Sequence, residues 1–320
     1  MQNLKLDDIL NADFNLYAGN PIIRAPKSSF VIADPSILTP DMCHDKKWHL
    51  FCHTWFGVYH FISDDGVDFE NKGRVAPRAM RPNINYIGGR YYLFYERTRP
   101  VVFNLLSLVG AKWESEIYCC ESDDLISWSK PRIVIANTQK YEQYKGGYAI
   151  SNPFLIEKDG RYRMYYSCSQ TFIEDCGFCE PTHISFAESK RITNGYLSRP
   201  EPIISPDENI DYLNLCSGCL KVYKLQDCYI GLQNGIYKKD GKSHSAIMLL
   251  KSEDGVKFDF VKELLVPQMC EDNNWMAQYV YACCLTYYDG KLRLYFNARN
   301  EANNITGREH IGIYEAQLNK

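Results

Sequence analysis

The chain has 320 residues, 45% of them hydrophobic and 23% charged, with a formal net charge of −3. That length suits two ordinary domains or one large β domain, and the weak acidic balance excludes a general nucleic-acid or membrane-surface binder. No apolar run approaches the roughly 20 residues that span a bilayer. The N-terminus, MQNLKLDDILNADFNLY, carries acids where a signal peptide has its apolar segment, so the reading is a cytoplasmic protein.

Residues 1–19 read as a lead-in with a short helix. The extended stretch Asn20–Pro26 is then expected to act as a strand that completes the last structural unit. From Ile32 to Trp55 runs IADPSILTPDMCHDKKWHLFCHTW: an Asp-Pro opens an apolar run, a polar turn follows, and an aromatic-rich run returns. Apolar and β-branched residues on both sides of a turn predict an antiparallel hairpin. The same plan recurs as RPNINYIGGRYYLFYER from Arg81, SNPFLIEKDGRYRMYYS from Ser151, CSGCLKVYKLQDCYIGLQN from Cys216 and YACCLTYYDGKLRLYFNAR from Tyr281. Spacings of roughly 50 to 70 residues fall near the propeller-blade range.

A second pair of strands follows most hairpins, marked by SDDGVDF from Ser63, SDDLISW from Ser122 and SEDGVKF from Ser252, with a degenerate copy from Ala187. Ser-x-Asp-Gly before an aromatic is a tight turn in which Asp bonds its own backbone and Gly takes positive φ. The copy from Ser122 has Leu125 in place of Gly, which leaves its turn open to differ. Four strands repeated five times predict an all-β fold: one five-bladed β-propeller over 20–320, with four-stranded antiparallel blades. Longer insertions at Arg99–Trp113, Ser169–Pro181 and Asn300–Arg308 all follow a return strand. They are expected to rim a pocket on one face of the disc.

Thirteen cysteines, an odd number often within strands, suit reduced buried thiols rather than a disulfide framework. Cys176 and Cys179, with Cys216 and Cys219, form two C-x-x-C pairs. Their separation is longer than zinc ribbons use, and no metal or cofactor is expected.

The hairpin ends can be compared with one another. The residues opening each unit are Asp34, Arg81, Asn152, Ser217 and Ala282; those ending each return strand are His53, Glu96, Ser167, Gln233 and Asn297. In an antiparallel hairpin these two columns lie side by side. Nine of the ten positions are polar at the ends of apolar strands, which predicts a shared polar funnel that binds a ligand. Trp55 and Trp113 near this ring suit stacking on sugar rings, whereas Trp48 and Trp128 read as core. Arg81, Arg97, Arg99, Arg299 and Arg308 would suit an anionic group on the ligand.

Asp34-Pro35 after Ala33, the aromatic return strand, and the turns Gly89-Arg90-Tyr91, Gly160-Arg161-Tyr162 and Gly290-Lys291 resemble glycoside hydrolase family 43 and its five-bladed relatives. The resemblance implies that Asp34 is the general base of an inverting hydrolysis. It also implies a second Asp in the third blade, where Asn152 stands, and a general acid opening the fourth, where Ser217 stands. Inverting hydrolysis needs two carboxyl groups across the scissile bond. Glu96 is the other carboxylate in the two columns. It either supplies the proton or binds hydroxyls while Arg81, whose charge lowers its pKa, holds it. Asp175, Asp211, Glu271 and Glu309 are further loop carboxylates, and His53 beside Asp34 is a wall residue or a proton donor.

The functional expectation is a glycoside hydrolase with a non-standard acid. Asp34 and Glu96 are its catalytic candidates, and His53, Trp55, Arg81, Asn152, Ser217, Gln233, Asn297 and Arg299 its substrate-binding candidates. The competing readings are a sugar-binding or catalytically degenerate propeller, a glycoside phosphorylase, and another polysaccharide-modifying enzyme. The expected partner is a carbohydrate, with an anionic one among the possibilities, and neither nucleic acid nor a membrane.

Overall fold

The computed structural model describes residues 1–98, 113–145, 147–269, 274–303 and 306–318. Strand makes up 56% of the described residues and helix 4%. Five four-stranded antiparallel sheets stand around a common axis as the blades of a propeller. Blade 1 comprises Ala33–Leu38, Trp48–Thr54, Gly57–Ser63 and Glu70–Pro77, and blade 2 comprises Ala79–Ile87, Arg90–Thr98, Ser115–Ser122 and Arg132–Ile135. Blade 3 comprises Ile150–Lys158, Arg161–Cys168, His183–Ser189 and Leu197–Ser198, and blade 4 Cys216–Lys224, Tyr229–Lys239, Lys242–Ser252 and Asp259–Leu265. Blade 5 is Tyr279–Tyr288, Lys291–Arg299 and Glu309–Gln317, closed by the N-terminal strand Asn15–Leu16.

That closing strand lies earlier than the Asn20–Pro26 stretch expected to supply it. Asn15 and Leu16 pair with Glu315 and Tyr314, and the expected stretch adds a single bridge, Ile23 to Ile311. The lead-in does form a short helix, Leu6–Leu10, and it buries Leu4 and Ile9 against blades 4 and 5.

The core is divided among the clefts between blades. Alternate residues along a strand point to opposite faces, so each middle strand feeds two clefts. Leu50 packs between blades 5 and 1, and Phe51 between blades 1 and 2. Leu93 and Phe94 split in the same way, as do Met164 and Tyr165. Both faces are therefore buried, which is why these strands read as continuous apolar runs rather than alternating ones. Polar clasps add to this packing. Tyr165 of blade 3 donates to the carbonyl of Gly255 in blade 4 (2.7 Å), and Tyr295 of blade 5 donates to that of Gly66 in blade 1 (2.8 Å).

The Ser-x-Asp-Gly turns receive those clasps. In blade 1, Ser63 Oγ accepts the Gly66 N–H and Asp65 Oδ1 accepts the N–H groups of Val67 and Asp68. The turn at Ser122 makes the same bonds, with Leu125 held at φ 62° where its counterparts are Gly66 and Gly255. It does not differ, because burial of the leucine between blades 1 and 2 outweighs the strain. The left-handed conformation costs a non-glycine residue about 1–2 kcal/mol, and removing a buried leucine side chain costs about 2–5 kcal/mol. Leu125→Gly is therefore expected to lower unfolding stability by about 1–3 kcal/mol in urea denaturation. A gain in stability would show that strain dominates at this turn.

Candidate active site

All five inner strands begin at one end of the propeller axis, and each opens with a β-bulge: between Ala33 and Ser36, Met80 and Asn83, Ser151 and Phe154, Cys216 and Cys219, and Val280 and Cys283. In a bulge two residues oppose one, which bends the strand and re-aims a side chain. Asp34, Arg81 and Asn152 take φ of 55°, 52° and 51° there, and Gly218 takes 64°. Together these openings line a pocket of about 370 Å³.

Asp34, His53, Trp55, Arg81, Asn152, Asn297 and Arg299 all line this pocket, as do Trp113 and Ala282. Ser217 and Gln233 do not. The left-handed residue of blade 4 is Gly218, one position later than expected, so Ser217 is buried behind the wall and Gln233 donates to its carbonyl (2.9 Å). Asn234 faces the pocket in place of Gln233.

Asp34 is tied to blade 5 through its backbone. Its N–H donates to Asn297 Oδ1 (3.1 Å), and Asn297 in turn donates to Glu309 Oε2 (3.0 Å). His53 Nδ1 lies 3.3 Å from Asp34 Oδ2 and accepts the Arg81 N–H, also at 3.3 Å. Burial pushes the His53 pKa down to about 4, so the ring is neutral at physiological pH and its contact with Asp34 is not an ion pair.

Both pocket arginines are engaged within the protein. Arg81 pairs with Glu96, and Arg299 Nη1 donates to Glu309 Oε1 (3.1 Å) and its other nitrogens to the carbonyls of Glu301 and Asn303. Glu96 is fully buried behind Arg81 and outside the pocket lining; it also accepts from Trp113 Nε1 (3.2 Å). Burial raises the Glu96 pKa above the ordinary carboxylate value despite the opposing charge of Arg81. The expectation that Arg81 would set a lowered pKa therefore does not hold, because desolvation exceeds the ion-pair attraction.

Glu180 is the carboxylate that the strand columns miss. The insertion at 169–181 folds into a hairpin of Thr171–Ile173 and Phe178–Glu180, and Phe178, Cys179 and Glu180 face the pocket. Burial pushes the Glu180 pKa up to about 8. Its place at the end of a rim insertion, beside a C-x-x-C pair, was the available signal. Phe30, Val31, Met80 and Tyr281 also line the wall, and the Tyr281 hydroxyl is buried with no hydrogen-bond partner among the described residues.

The other candidates lie elsewhere. Asp175 accepts from Ser243 and Asp211 is exposed; neither lines the pocket, whereas Glu309 does. Arg97 stacks over Tyr118, and Arg308 over Phe30 at the rim. Trp48 is buried in the core, and Trp128 packs against it. Arg99 and Glu271 fall outside the described residues. Twelve described cysteines are free and buried, and Cys270 lies outside the described residues. Cys176 contacts Ser243 Oγ and the Tyr279 hydroxyl, Cys179 contacts the Tyr144 hydroxyl, and Cys216 the Ile236 carbonyl, so these thiols have separate neighbours. Among the described residues, the group with metal-ligand spacing is Cys43, Asp45 and His49, at the outer turn of blade 1. There an Asp45–His49–His60 hydrogen-bond chain accounts for the grouping. No helix is long and apolar enough to cross a membrane among the described residues.

No family model matches the sequence, and no curated protein does. Solved structures share the fold across nearly the whole chain. An N-acetylgalactosamine deacetylase from F. plautii, in complex with blood group B trisaccharide, is 12% identical with a TM-score of 0.66, covering 96% of this chain and 94% of its own. A putative glycoside hydrolase from Bacteroides ovatus is 15% identical with a TM-score of 0.64, covering 96% and 98%. An α-L-arabinofuranosidase from Podospora anserina, in complex with cellotriose, is 12% identical with a TM-score of 0.61, covering 94% and 95%. The chain is a five-bladed propeller of this architecture. These likenesses establish the fold, and the deacetylase among them shows that the fold alone does not name a reaction.

Two stability tests follow from the buried charges. Arg81→Met leaves Glu96 buried without its cation, and breaking such a pair costs about 3–5 kcal/mol; urea denaturation should show a loss of that order, and an unchanged midpoint would mean that the pair contributes nothing. Burial also lowers the pKa values of His53 and His310 to about 4 and of His60 to about 3, from an unfolded value near 6.5. The folded state therefore binds fewer protons than the unfolded one. This contribution is fully present above about pH 6.5 and is lost as pH falls through about 4. The melting temperature should drop across that window, and a flat profile would contradict the buried neutral rings.

Proposed function

We propose that this protein is a carbohydrate-active enzyme, a glycoside hydrolase in which Asp34 is the general base. The observation that carries the reading is Asp34 itself, on a strained bulge at the head of the axial pocket, with its backbone N–H bonded to Asn297 and its carboxylate 3.3 Å from the His53 ring. A strained residue that its neighbours over-determine is typical of functional sites. Around it, Trp55, Trp113 and Phe178 offer apolar faces, and Asn152, Asn234 and the unpartnered Tyr281 hydroxyl offer hydrogen bonds. That mixture suits a sugar, whose C–H face is apolar and whose hydroxyls need partners. The similar structures in complex with a trisaccharide and with cellotriose support a carbohydrate ligand.

The Asp34 carboxylate takes a proton from the attacking water, and the neutral His53 adds no cation beside it. The arginines do not support an anionic ligand or phosphorolysis, since Glu96 and Glu309 already neutralise Arg81 and Arg299. A sugar-binding propeller without turnover is the second reading. It is favoured by Asn152 and Ser217, which stand at the openings of blades 3 and 4 where the resemblance implies carboxylates, Ser217 being buried outside the pocket lining. Free buried thiols support a reducing, cytoplasmic setting.

The test is a panel of aryl glycosides with the parent and Asp34→Asn. The variant keeps the shape of the side chain without its basicity, and losing a general base costs on the order of a hundredfold or more in rate. It should fold, bind sugar and lose turnover. Hydrolysis by Asp34→Asn at the parent rate would remove Asp34 from the mechanism, and a parent that binds sugars without hydrolysing any would establish the binding reading.

A further inference from the structure

Cleaving a glycosidic bond requires a proton for the departing oxygen, and the opening of blade 4 cannot supply one. Gly218 takes a left-handed φ, and a Cβ there would lie 1.7 Å from the carbonyl oxygen of Asn234, so no side chain fits. Ser217, next to it, is fully buried outside the pocket lining. The hairpin inserted in blade 3 is fastened to this very spot. Its end is gripped by two backbone bonds from blade 4, Gly218 N–H to the Pro181 carbonyl and Ser217 N–H to the Thr182 carbonyl, both 3.1 Å. Glu180 immediately precedes that double link and faces the same pocket as Asp34.

We infer that Glu180, carried on the inserted hairpin of blade 3, is the general acid of this site, standing against the blade 4 opening that cannot bear one. The assignment rests on the hydrolase reading above. The neighbouring carboxylates are unsuited to the role: Glu309 in the pocket is tied to Arg299 and Asn297, and Glu96 lies outside the lining, tied to Arg81 behind the wall. The charged groups facing Glu180 are Arg81, Glu309, Asp34 and Arg299, with the thiols of Cys176 and Cys216 and the Tyr281 hydroxyl close by. Two of those charges are cations already paired with carboxylates. Desolvation therefore dominates, and the carboxyl holds its proton to about pH 8.

In the reaction Glu180 gives its proton to the glycosidic oxygen as the bond from the anomeric carbon to that oxygen breaks, and the leaving group departs as a free alcohol. The oxygen of a water forms the new bond to the anomeric carbon, and the water's proton passes to Asp34. The cycle closes when Asp34 releases that proton to solvent and Glu180 takes one up.

Two measurements test the assignment. The first needs no ligand: melting temperatures of the parent and Glu180→Gln between about pH 5 and about pH 9. A carboxyl whose folded pKa is raised stabilises the fold fully below its unfolded pKa, and that contribution is lost as pH rises through the folded value. The variant, which cannot ionise, should therefore gain on the parent as pH rises. A difference that stays flat means that Glu180 is not held protonated, and overturns the inference. The second compares methyl glycosides with 2,4-dinitrophenyl glycosides, whose leaving group needs no proton. Glu180→Gln should lose about a hundredfold or more in kcat on the methyl glycosides and stay near the parent rate on the dinitrophenyl glycosides. Equal losses on both, or none on either, would overturn the acid role while leaving the hydrolase reading intact. A parent inert towards every glycoside would refute that reading, and this assignment with it.

Discussion

The left-handed residue at the head of the inner strand is the constraint on which the site depends. Asp34, Arg81 and Asn152 each adopt it and each precede a proline, although such a conformation costs a non-glycine residue about 1–3 kcal/mol. Without the bulge, Asp34 would continue the strand's alternation and point into a cleft between blades. With it, the strand behind stays in register with the core while the opening side chain turns to the axis. The N–H groups that the bulge frees are taken by the preceding blade: Asp34 bonds Asn297 of blade 5, and Arg81 bonds His53 of blade 1. The ring of polar residues is thus a fastening between blades as well as a lining.

Charge pairing then sorts the pocket. Six charged groups in or behind the pocket wall could compete for a ligand or for a proton, and two ion pairs remove four of them: Arg81 with Glu96, and Arg299 with Glu309. Asp34 and Glu180 are left without an ion pair to an arginine or lysine among the described residues. Their surroundings differ in kind, since Asp34 shares its place with a neutral imidazole while Glu180 sits on an apolar hairpin between Cys179 and Pro181. A carboxyl that burial keeps protonated, as at Glu180, can do acid work beside a second carboxylate that does base work.

The blades were legible because each is a local hairpin with its own turn chemistry, and short-range signals survive without knowledge of the tertiary fold. Legibility faded where a side chain's place depends on a partner far along the chain. Blade 4 lacks the proline that marks the bulge in blades 1 to 3, so its sequence points to Ser217 and Gln233 where the fold presents Gly218 and Asn234. The closing strand is only two residues long, and its pairing with Tyr314 and Glu315 leaves no local pattern. Glu180 carried only the weak signal of ending a rim insertion, for a third reason. Its hairpin belongs to no repeat, and it is placed by backbone bonds to residues of the next blade. The hairpin register already put Glu96 beside Arg81, whereas the engagement of Arg299 was invisible, because Glu309 meets it only across folded strands.

The stereochemistry of the first product tests the account most directly. If Asp34 activates a water that attacks while the leaving group departs, the sugar is released with its anomeric configuration inverted. Proton NMR in the first minutes of hydrolysis of an aryl glycoside reads this before the anomers equilibrate. The account predicts inversion; retention would make one of the pocket carboxylates a nucleophile and contradict the role assigned to Asp34.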